Sequence, residues 1–419
     1  MIVQLEEAKQ TMSQLEADVK ELHGALGIDE LTAKAEELEK ITCEADFWGR
    51  EDSQQIMSDL NAKKATVNGY NELADGLEAL KDLVEMAIME DDESFTEEIL
   101  SELSALQKSY DRQRIEALVD ANSFVEIGGM VTARNTDFNM QTKETPADGC
   151  VTGYGVIDGN LVYVYSQDAG VLNGSVGEMH AKKIANLYEL ALKTGAPVIG
   201  LIDSAGLRLQ EATDALNAFG EIYMKQTNAS GVIPQITAIF GNCGGGLAMI
   251  PTLTDFTFME AAKAKLFVNS PNAIAGNEVS KCDTASAKFQ MEEVGIVDVV
   301  AEEAELMAQI RELVCLLPAN NEDDGAFDEC TDDLNRVCAD LENAAGDPAI
   351  VLSNISDDAV FFETKKDYAK EIAESLPAKK KANFAKIAGI CAVFSVIATA
   401  IIFLLLNMSD GGDNLKLMF

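Results

Sequence analysis

The sequence predicts an α/β domain whose sheet is covered on both faces, preceded by an α-helical coiled-coil bundle and followed by a transmembrane helix. Three observations carry that reading. Apolar residues at Leu5, Ala8, Met12, Leu15, Val19, Leu22 and Leu26 recur at alternating spacings of three and four, the seam of a helix that packs against other helices. After Tyr110 the texture changes to β-branched and aromatic runs separated by glycine turns. Near the C-terminus, Ile387 to Leu406 is an unbroken run of apolar or small residues.

Taken in order, Gly27 ends the first helix. The pattern restarts at Leu31, Ala35, Leu38 and Ile41, and again through Ile56, Leu60, Val67, Leu77, Leu80 and Val84 after a break at Phe47 to Gly49. Residues 1–108 therefore read as a small helical coiled-coil domain, which on spacing alone suits oligomerisation. Strand signals follow at Phe124 to Gly129, Val151 to Ile157, Leu161 to Tyr165 and Val198 to Ile202, with a helical pattern at Glu178 to Lys193. Several of these strands are apolar throughout, as in a sheet buried on both faces. Arg112 to about Leu317 forms the body of this unit, whose bounds are drawn at 109–370. Its acidic stretch from Leu317 to Asp347 reads as solvated charge rather than a metal site.

Residues 371–386 form a basic linker and 387–407 the membrane helix, long enough to cross a hydrocarbon layer of roughly 30 Å at about 1.5 Å per residue. Lys379, Lys380, Lys381 and Lys386 precede the span, whereas the tail at 408–419 carries Asp410, Asp413 and Lys416. The positive-inside rule then places the chain at the cytoplasmic face of a membrane, tail-anchored. No signal peptide is read at the N-terminus, where Glu6 and Glu7 interrupt any apolar core.

Composition narrows the chemistry. A net charge of −39 argues against nonspecific nucleic-acid binding, which needs a positive surface. The eight cysteines include no CxxC pair, so zinc ribbons and thioredoxin-like redox sites are not expected. With only two histidines, His23 and His180, His-based metal sites and Ser-His-Asp triads have almost no material, and no metal is expected. Any chemistry must come largely from the backbone.

Three glycine-bearing loops supply candidates: Gly174-Ser175-Val176-Gly177-Glu178-Met179-His180, Asp203-Ser204-Ala205-Gly206-Leu207-Arg208-Leu209-Gln210-Glu211, and Gly241-Asn242-Cys243-Gly244-Gly245-Gly246-Leu247-Ala248. The last two each follow a β-like run and open a helix. Such a turn exposes consecutive N–H groups with no Cβ in the way, and a helix dipole adds positive potential. Two of these loops side by side could put two N–H donors on one thioester oxygen and stabilise an enolate. By itself, Gly244 to Gly246 reads equally well as a device for packing a helix close to a strand.

The ordered set is more specific. Arg114-Ile-Glu-Ala-Leu-Val-Asp-Ala-Asn-Ser-Phe-Val-Glu, Tyr163-Val-Tyr-Ser-Gln-Asp-Ala, Asp203-Ser-Ala-Gly-Leu-Arg-Leu-Gln-Glu and Gly241-Asn-Cys-Gly-Gly-Gly-Leu-Ala-Met-Ile-Pro-Thr-Leu-Thr-Asp resemble the N-terminal half of the acyl-CoA carboxyltransferase family. The resemblance implies a crotonase-like β-β-α superhelix that binds an acyl-CoA and exchanges CO2 with carboxybiotin on a carrier protein. It implies that Gly245 and Gly246, with Gly244 and the N–H groups near Gly206, form the oxyanion hole. It also implies that Gly174, Ser175, Gly177 and His180 line the CoA groove, with Lys182, Lys183 and Arg208 as partners for CoA phosphates.

Members of that family carry two such halves, and Phe361 to Lys370 resembles the linker into the second, after which the likeness stops. A partner subunit supplying the C-terminal half, a biotin carrier and a homo- or hetero-oligomer are therefore expected. The alternative is a catalytically silent assembly subunit tethered to the membrane, or a chain fused from separate segments. At the other end, Ala45-Asp46-Phe47-Trp48, Ile56-Met57-Ser58-Asp59-Leu60-Asn61 and the acidic stretch at Glu90 to Glu93 resemble the N-terminal domain of bacterial peptide chain release factor 2. Without a Gly-Gly-Gln sequence, termination activity is not expected.

Overall fold

The computed structural model describes residues 2–43, 47, 53–90, 95–134, 145–323, 348–356 and 362. All of them lie in one compact unit, residues 1–365. Four helices come first: α1 (Ile2–Leu26), α2 (Ile28–Thr42), α3 (Ser53–Glu90) and α4 (Thr96–Leu118). The turn between α1 and α2 needs a left-handed residue and has Gly27 at φ 60°. The α1 seam read from the sequence is buried from Ala8 to Leu22. It packs on Leu73, Leu77, Leu80 and Val84 of α3 and on Ile99, Leu103 and Tyr110 of α4. No linker marks the division drawn at 108/109, because α4 runs through it, contributing Leu103 to this cluster and Ile115 and Leu118 to the next.

An eight-stranded mixed sheet follows. Its strands are β1 (Val125–Ile127), β2 (Cys150–Ile157), β3 (Asn160–Gln167), β4 (Val198–Ser204), β5 (Gln235–Gly244), β6 (Phe256–Glu260), β7 (Lys265–Phe267) and β8 (Val299–Ala301). The order is β1-β2-β3-β4-β5-β6-β8, with β7 alongside the end of β5. The first two pairings are antiparallel and the rest parallel. The crossover helices are α5 (Glu178–Thr194) and α6 (Ala212–Ala229), then the short α7 (Ile250–Leu253) and α8 (Ala287–Phe289), and finally α9 (Glu303–Leu316); α10 (Pro348–Ile355) lies beyond.

Strand alternation sorts two cores onto the two faces of the sheet. Tyr163, Tyr165, Val198, Ile202 and Ile239 pack with Ile184 and Tyr188 of α5 and Phe219 and Ile222 of α6. Val162, Val164, Ile199, Leu201 and Ile236 pack with Ile115 and Leu118 of α4 and Leu306, Ile310 and Leu313 of α9. Each such side chain contributes about 1.5–3 kcal/mol when fully buried, so the two faces together hold the layers in place. This is the α/β architecture read from the sequence, with helices on both sides.

One expectation is overturned. Among the described residues no helix is long and apolar enough to cross a membrane, so the transmembrane helix and the tail-anchored place at a cytoplasmic membrane face are withdrawn. The span at 387–407 lies outside the described residues, as do the linker at 371–386, the tail at 408–419 and the acidic residues 324–347. An apolar run of bilayer length meets a necessary condition for crossing and does not by itself make a helix.

Gly200 sits opposite Tyr165 in the sheet, and a Cβ there would lie 2.3 Å from the Tyr165 hydroxyl oxygen. Tyr165 is 1% exposed and has nowhere to move. Gly200→Ala is expected to destabilise the fold by about 1–3 kcal/mol, checked by denaturant unfolding against wild type.

Candidate functional site

The structure brings all three glycine loops together at the C-terminal ends of β4 and β5. Ser204 ends β4, and its buried hydroxyl donates to the Gly174 carbonyl at 2.6 Å while accepting the Gly206 N–H at 3.1 Å. Ala205 N–H donates to the Asn173 carbonyl, and Val176 and Leu207 form a bridge closed by Val176 N–H to Gly206 O and Arg208 N–H to Val176 O. Leu172, Asn173 and Gly174 lie in succession at φ 52°, 56° and 62°. For the two non-glycines this conformation costs about 1–3 kcal/mol each and persists because these bonds hold it. On the other side, Gly206 at φ 100° packs so closely on the Gly244 carbonyl that a Cβ would stand 2.6 Å from its oxygen.

Gly245 opens a 3-10 turn, Gly245–Met249, directly after β5. Its φ is +62°, and the space in front of its Cβ position is empty to 4 Å. As the first residues of that turn, Gly245 and Gly246 have no N–H acceptor within it. Ala205, Asn242 and Gly246 are exposed above a buried base of Ser204, Gly206, Cys243 and Gly244. Two details differ from the sequence reading. The helix expected after Gly246 is this five-residue turn and the four-residue α7, so little macrodipole stands behind the N–H groups. The Gly206 N–H is held by Ser204 Oγ and is not an open donor.

The first turn of α5, which lies among the residues read as lining the CoA groove, is met by the chain's own carboxylates. Asp148 accepts the His180 N–H at 2.7 Å and Glu211 accepts the Glu178 N–H at 2.6 Å. Arg208 lies between them, its side chain fully buried, with Nη1 2.6 Å from Asp148 and 3.0 Å from Glu211. Its Nη2 donates to the Ser175 carbonyl at 2.6 Å. Gly177 is required because a Cβ would strike the Glu211 carboxylate and the Arg208 guanidinium. Arg208 is therefore corrected from a phosphate ligand to an internal tie, and Ser175 and Gly177 from groove-lining residues to its supports.

His180 is 0% exposed, with Nδ1 donating to the Asp148 carbonyl and Nε2 accepting from Gln167. Burial, with Arg208 and Lys183 nearby, pushes its pKa well below the usual imidazole range, so it stays neutral. It is a packed residue, not a groove-lining one. Lys183 also turns inward, donating to the Ala147 and Cys150 carbonyls, and burial lowers its pKa. Lys182 stays on the surface, paired with Glu178 at 2.6 Å. A cavity of about 190 Å³ beside these lysines, lined also by Ile127, Thr152, Met179 and Asn186, includes none of the three glycines 244–246 and is small for a CoA-sized ligand.

Sequence reasoning missed an acidic cluster behind β4. Asp111, Asp168 and Asp203 line a second cavity of about 300 Å³ with Arg114 and the α1 residues Thr11, Leu15 and Asp18. Arg114 pairs with Glu303 at 2.8 Å and stacks on the rings of Tyr110 and Phe240. Asp168 is 2% exposed, and its Oδ2 has no hydrogen-bond partner. Burial first, then the charge of Asp203, pushes the Asp168 carboxyl up to about 7. The only sequence hints were the neighbouring motif residues; aspartates far apart in the chain give no sign that they share a cavity.

Two outcomes follow from these clusters. Arg208→Met, which strands Asp148 and Glu211 without a counter-charge, should cost about 3–5 kcal/mol in denaturant unfolding, whereas Lys182→Ala should change stability by less than about 0.5 kcal/mol. Because the Asp168 pKa is raised in the fold, its contribution is fully present below the unfolded value near 4 and is lost as pH rises through about 7. Asp168→Asn should accordingly raise the melting temperature at pH 8, with the gain shrinking toward pH 5.

Residues 107–376 match the carboxyl transferase domain family. Over 272 residues the chain is 42% identical to the methylmalonyl-CoA decarboxylase subunit alpha of Veillonella parvula, covering 62% of this chain and 53% of that protein. Over 294 residues it is 37% identical to the biotin-dependent acetyl-/propionyl-coenzyme A carboxylase beta5 subunit of Mycobacterium tuberculosis, covering 66% and 54%. The crystal structure of the transcarboxylase 12S hexamer with hydrolysed methylmalonyl-coenzyme A bound superposes with a TM-score of 0.59 at 34% identity, over 62% of this chain and 52% of that one. The chain thus spans about half the length of the relatives it matches. Since the family match takes in more than half of the 419 residues, the chain belongs to the carboxyl transferase domain family.

Proposed function

We propose that this chain supplies the acyl-CoA half of a biotin-dependent carboxyl transfer, with the thioester oxygen of a short acyl-CoA seated on the backbone N–H groups of Gly245 and Gly246. The observation that carries the reading is the Gly245 turn: a left-handed glycine at a strand end, with open space before it and N–H groups that have no partner in their own turn. Such donors stabilise the oxygen as it takes on enolate charge, and the fixed loops spare them reorganisation at that moment. Removal of one donor of this kind typically slows a reaction by about 100- to 1,000-fold.

Carboxybiotin on a separate carrier supplies the CO2, and the relatives named for acetyl-, propionyl- and methylmalonyl-CoA support a short acyl group and either direction of transfer. The residues fit one half of such a site: they offer backbone donors for a thioester oxygen, and none of them is assigned here to biotin. The carboxybiotin contacts we leave to the part of each relative that the match does not cover. Lys182, the one exposed residue among the proposed phosphate partners, remains a surface contact for CoA.

We further read residues 1–108 as a helical coiled-coil unit whose likeness to the release factor 2 N-terminal domain concerns ancestry, and 109–370 as a crotonase-like carboxyltransferase domain. The start of the family match at 107 supports that division. Calorimetric titration with propionyl-CoA tests the site. Gly245→Val places a branched side chain in the open space, and affinity should fall by about tenfold or more, with retained helix and sheet signals showing that the fold survives. Equal affinity in both proteins would sink the assignment.

A further inference from the structure

Asp203 has no role in the reading above, yet its carboxylate occupies the point on which the Gly244 to Gly246 loop turns. Between Ile202↔Ile239 and Ser204↔Cys243 the β4–β5 pairing advances two residues on β4 and four on β5, so β5 carries two extra residues. At the same place β5 changes its other neighbour. Ile236 to Ile239 pair with β6, whereas Asn242 to Gly244 pair with β7. A strand that bulges and changes partner leaves backbone N–H groups without ladder acceptors. One of these, the Asn242 N–H, donates to Asp203 Oδ1 at 2.9 Å. The carboxylate also fills the space over Gly241, where a Cβ would stand 2.1 Å from the same oxygen. Ser204, the next residue, sends its hydroxyl the other way, to Gly174 and Gly206.

We propose that Asp203 is a positioning residue: by capping the Asn242 N–H inside the β5 bulge, its carboxylate sets where the Gly245 and Gly246 N–H groups stand relative to the Ala205–Gly206 turn. The catalytic consequence rests on the acyl-CoA reading of that loop; the structural role does not. Nothing else in the bulge replaces the brace, because Gly241 has no side chain and Asn242 is exposed. Donors displaced by a fraction of an ångström still touch a bound thioester but lose their alignment with the charge that develops on its oxygen. The effect therefore falls on kcat rather than KM.

Hydrogen–deuterium exchange of the full chain, together with carboxyl transfer between methylmalonyl-CoA and biotin measured with the C-terminal half of the Veillonella parvula relative supplied as a separate chain, tests this in Asp203→Ala and Asp203→Asn. In Asp203→Ala the amides of Asn242 to Gly246 should exchange about tenfold faster while those of β3 keep their wild-type rates. In the same variant, kcat should fall about tenfold or more with KM for the CoA thioester within about threefold. Asp203→Asn keeps an acceptor oxygen and should restore slow exchange and most of the rate. Unchanged exchange in Asp203→Ala, or an Asp203→Asn as damaged as the alanine variant, overturns the proposal; should the alanine variant fail to fold, the asparagine arm decides alone. A wild-type chain that binds no CoA thioester would refute the functional reading, and the exchange arm would still decide the role of Asp203.

Discussion

Arg208 holds three segments of the chain through one guanidinium. It meets Asp148 in the turn before β2, Ser175 in the loop before α5 and Glu211 in the turn before α6, while its own backbone closes the bridge to Val176. Two carboxylates against one guanidinium would leave the cluster negative. The first turn of α5 supplies the balance: Asp148 and Glu211 spend their second oxygens on the N–H groups of His180 and Glu178, at the positive end of a 17-residue helix. A buried ion cluster repays its desolvation only when its remaining hydrogen-bonding capacity is met in this way. The geometry of the candidate site depends on it, because the Gly174 and Gly206 loops hang from the segments Arg208 ties.

A second buried arginine performs a parallel task on the opposite side of β4. Arg114 lies on the helix shared by the N-terminal bundle and the sheet domain, and it pairs with Glu303 at the start of α9. Nearby, Lys263 reaches Asp18 and Glu21 of α1 at 2.6 and 2.8 Å. The helical segment is thus fixed by a continuous helix, a shared apolar cluster and ion pairs, so within this unit it packs as part of the domain. Burial is the largest cause raising the carboxyls of Asp111, Asp168 and Asp203; neighbouring carboxylates add to it, Asp168 and Asp203 at Asp111, Asp203 at Asp168, and Asp18 and Glu303 at Asp203, while Arg114 opposes the rise at all three. One of the three, Asp203, is also the carboxylate that meets the β5 bulge.

Much of the fold was legible because apolar periodicity reports burial directly. The runs at Val151, Leu161 and Val198 became β2, β3 and β4, and the helical pattern from Glu178 became α5 almost to the residue. The three glycine loops were legible as well, since glycine marks positions where a Cβ does not fit. Charged side chains carry no such mark. Arg208 reads the same whether it faces a phosphate or is sealed between Asp148 and Glu211, and its partner at 148 lies 60 residues away in the chain. Likewise, nothing in Asp203-Ser204 shows that the two side chains point to different loops, because that follows from a two-residue slip between strands. The run at 387–407 lies outside the described residues, and there composition alone was asked to specify a location.

These observations share one cause. A site built from backbone N–H groups cannot be tuned by choosing a different side chain at the point of contact, so its precision must come from what holds the backbone. Here the turn that presents Gly245 and Gly246 is short and has little helix dipole behind it. Its position is set instead by the slip in β5, by the close contact between Gly206 and the Gly244 carbonyl, and by the Ser204 hydroxyl. Asp148, Arg208 and Glu211 bind one another and the first turn of α5, and so act on the chain that carries these loops.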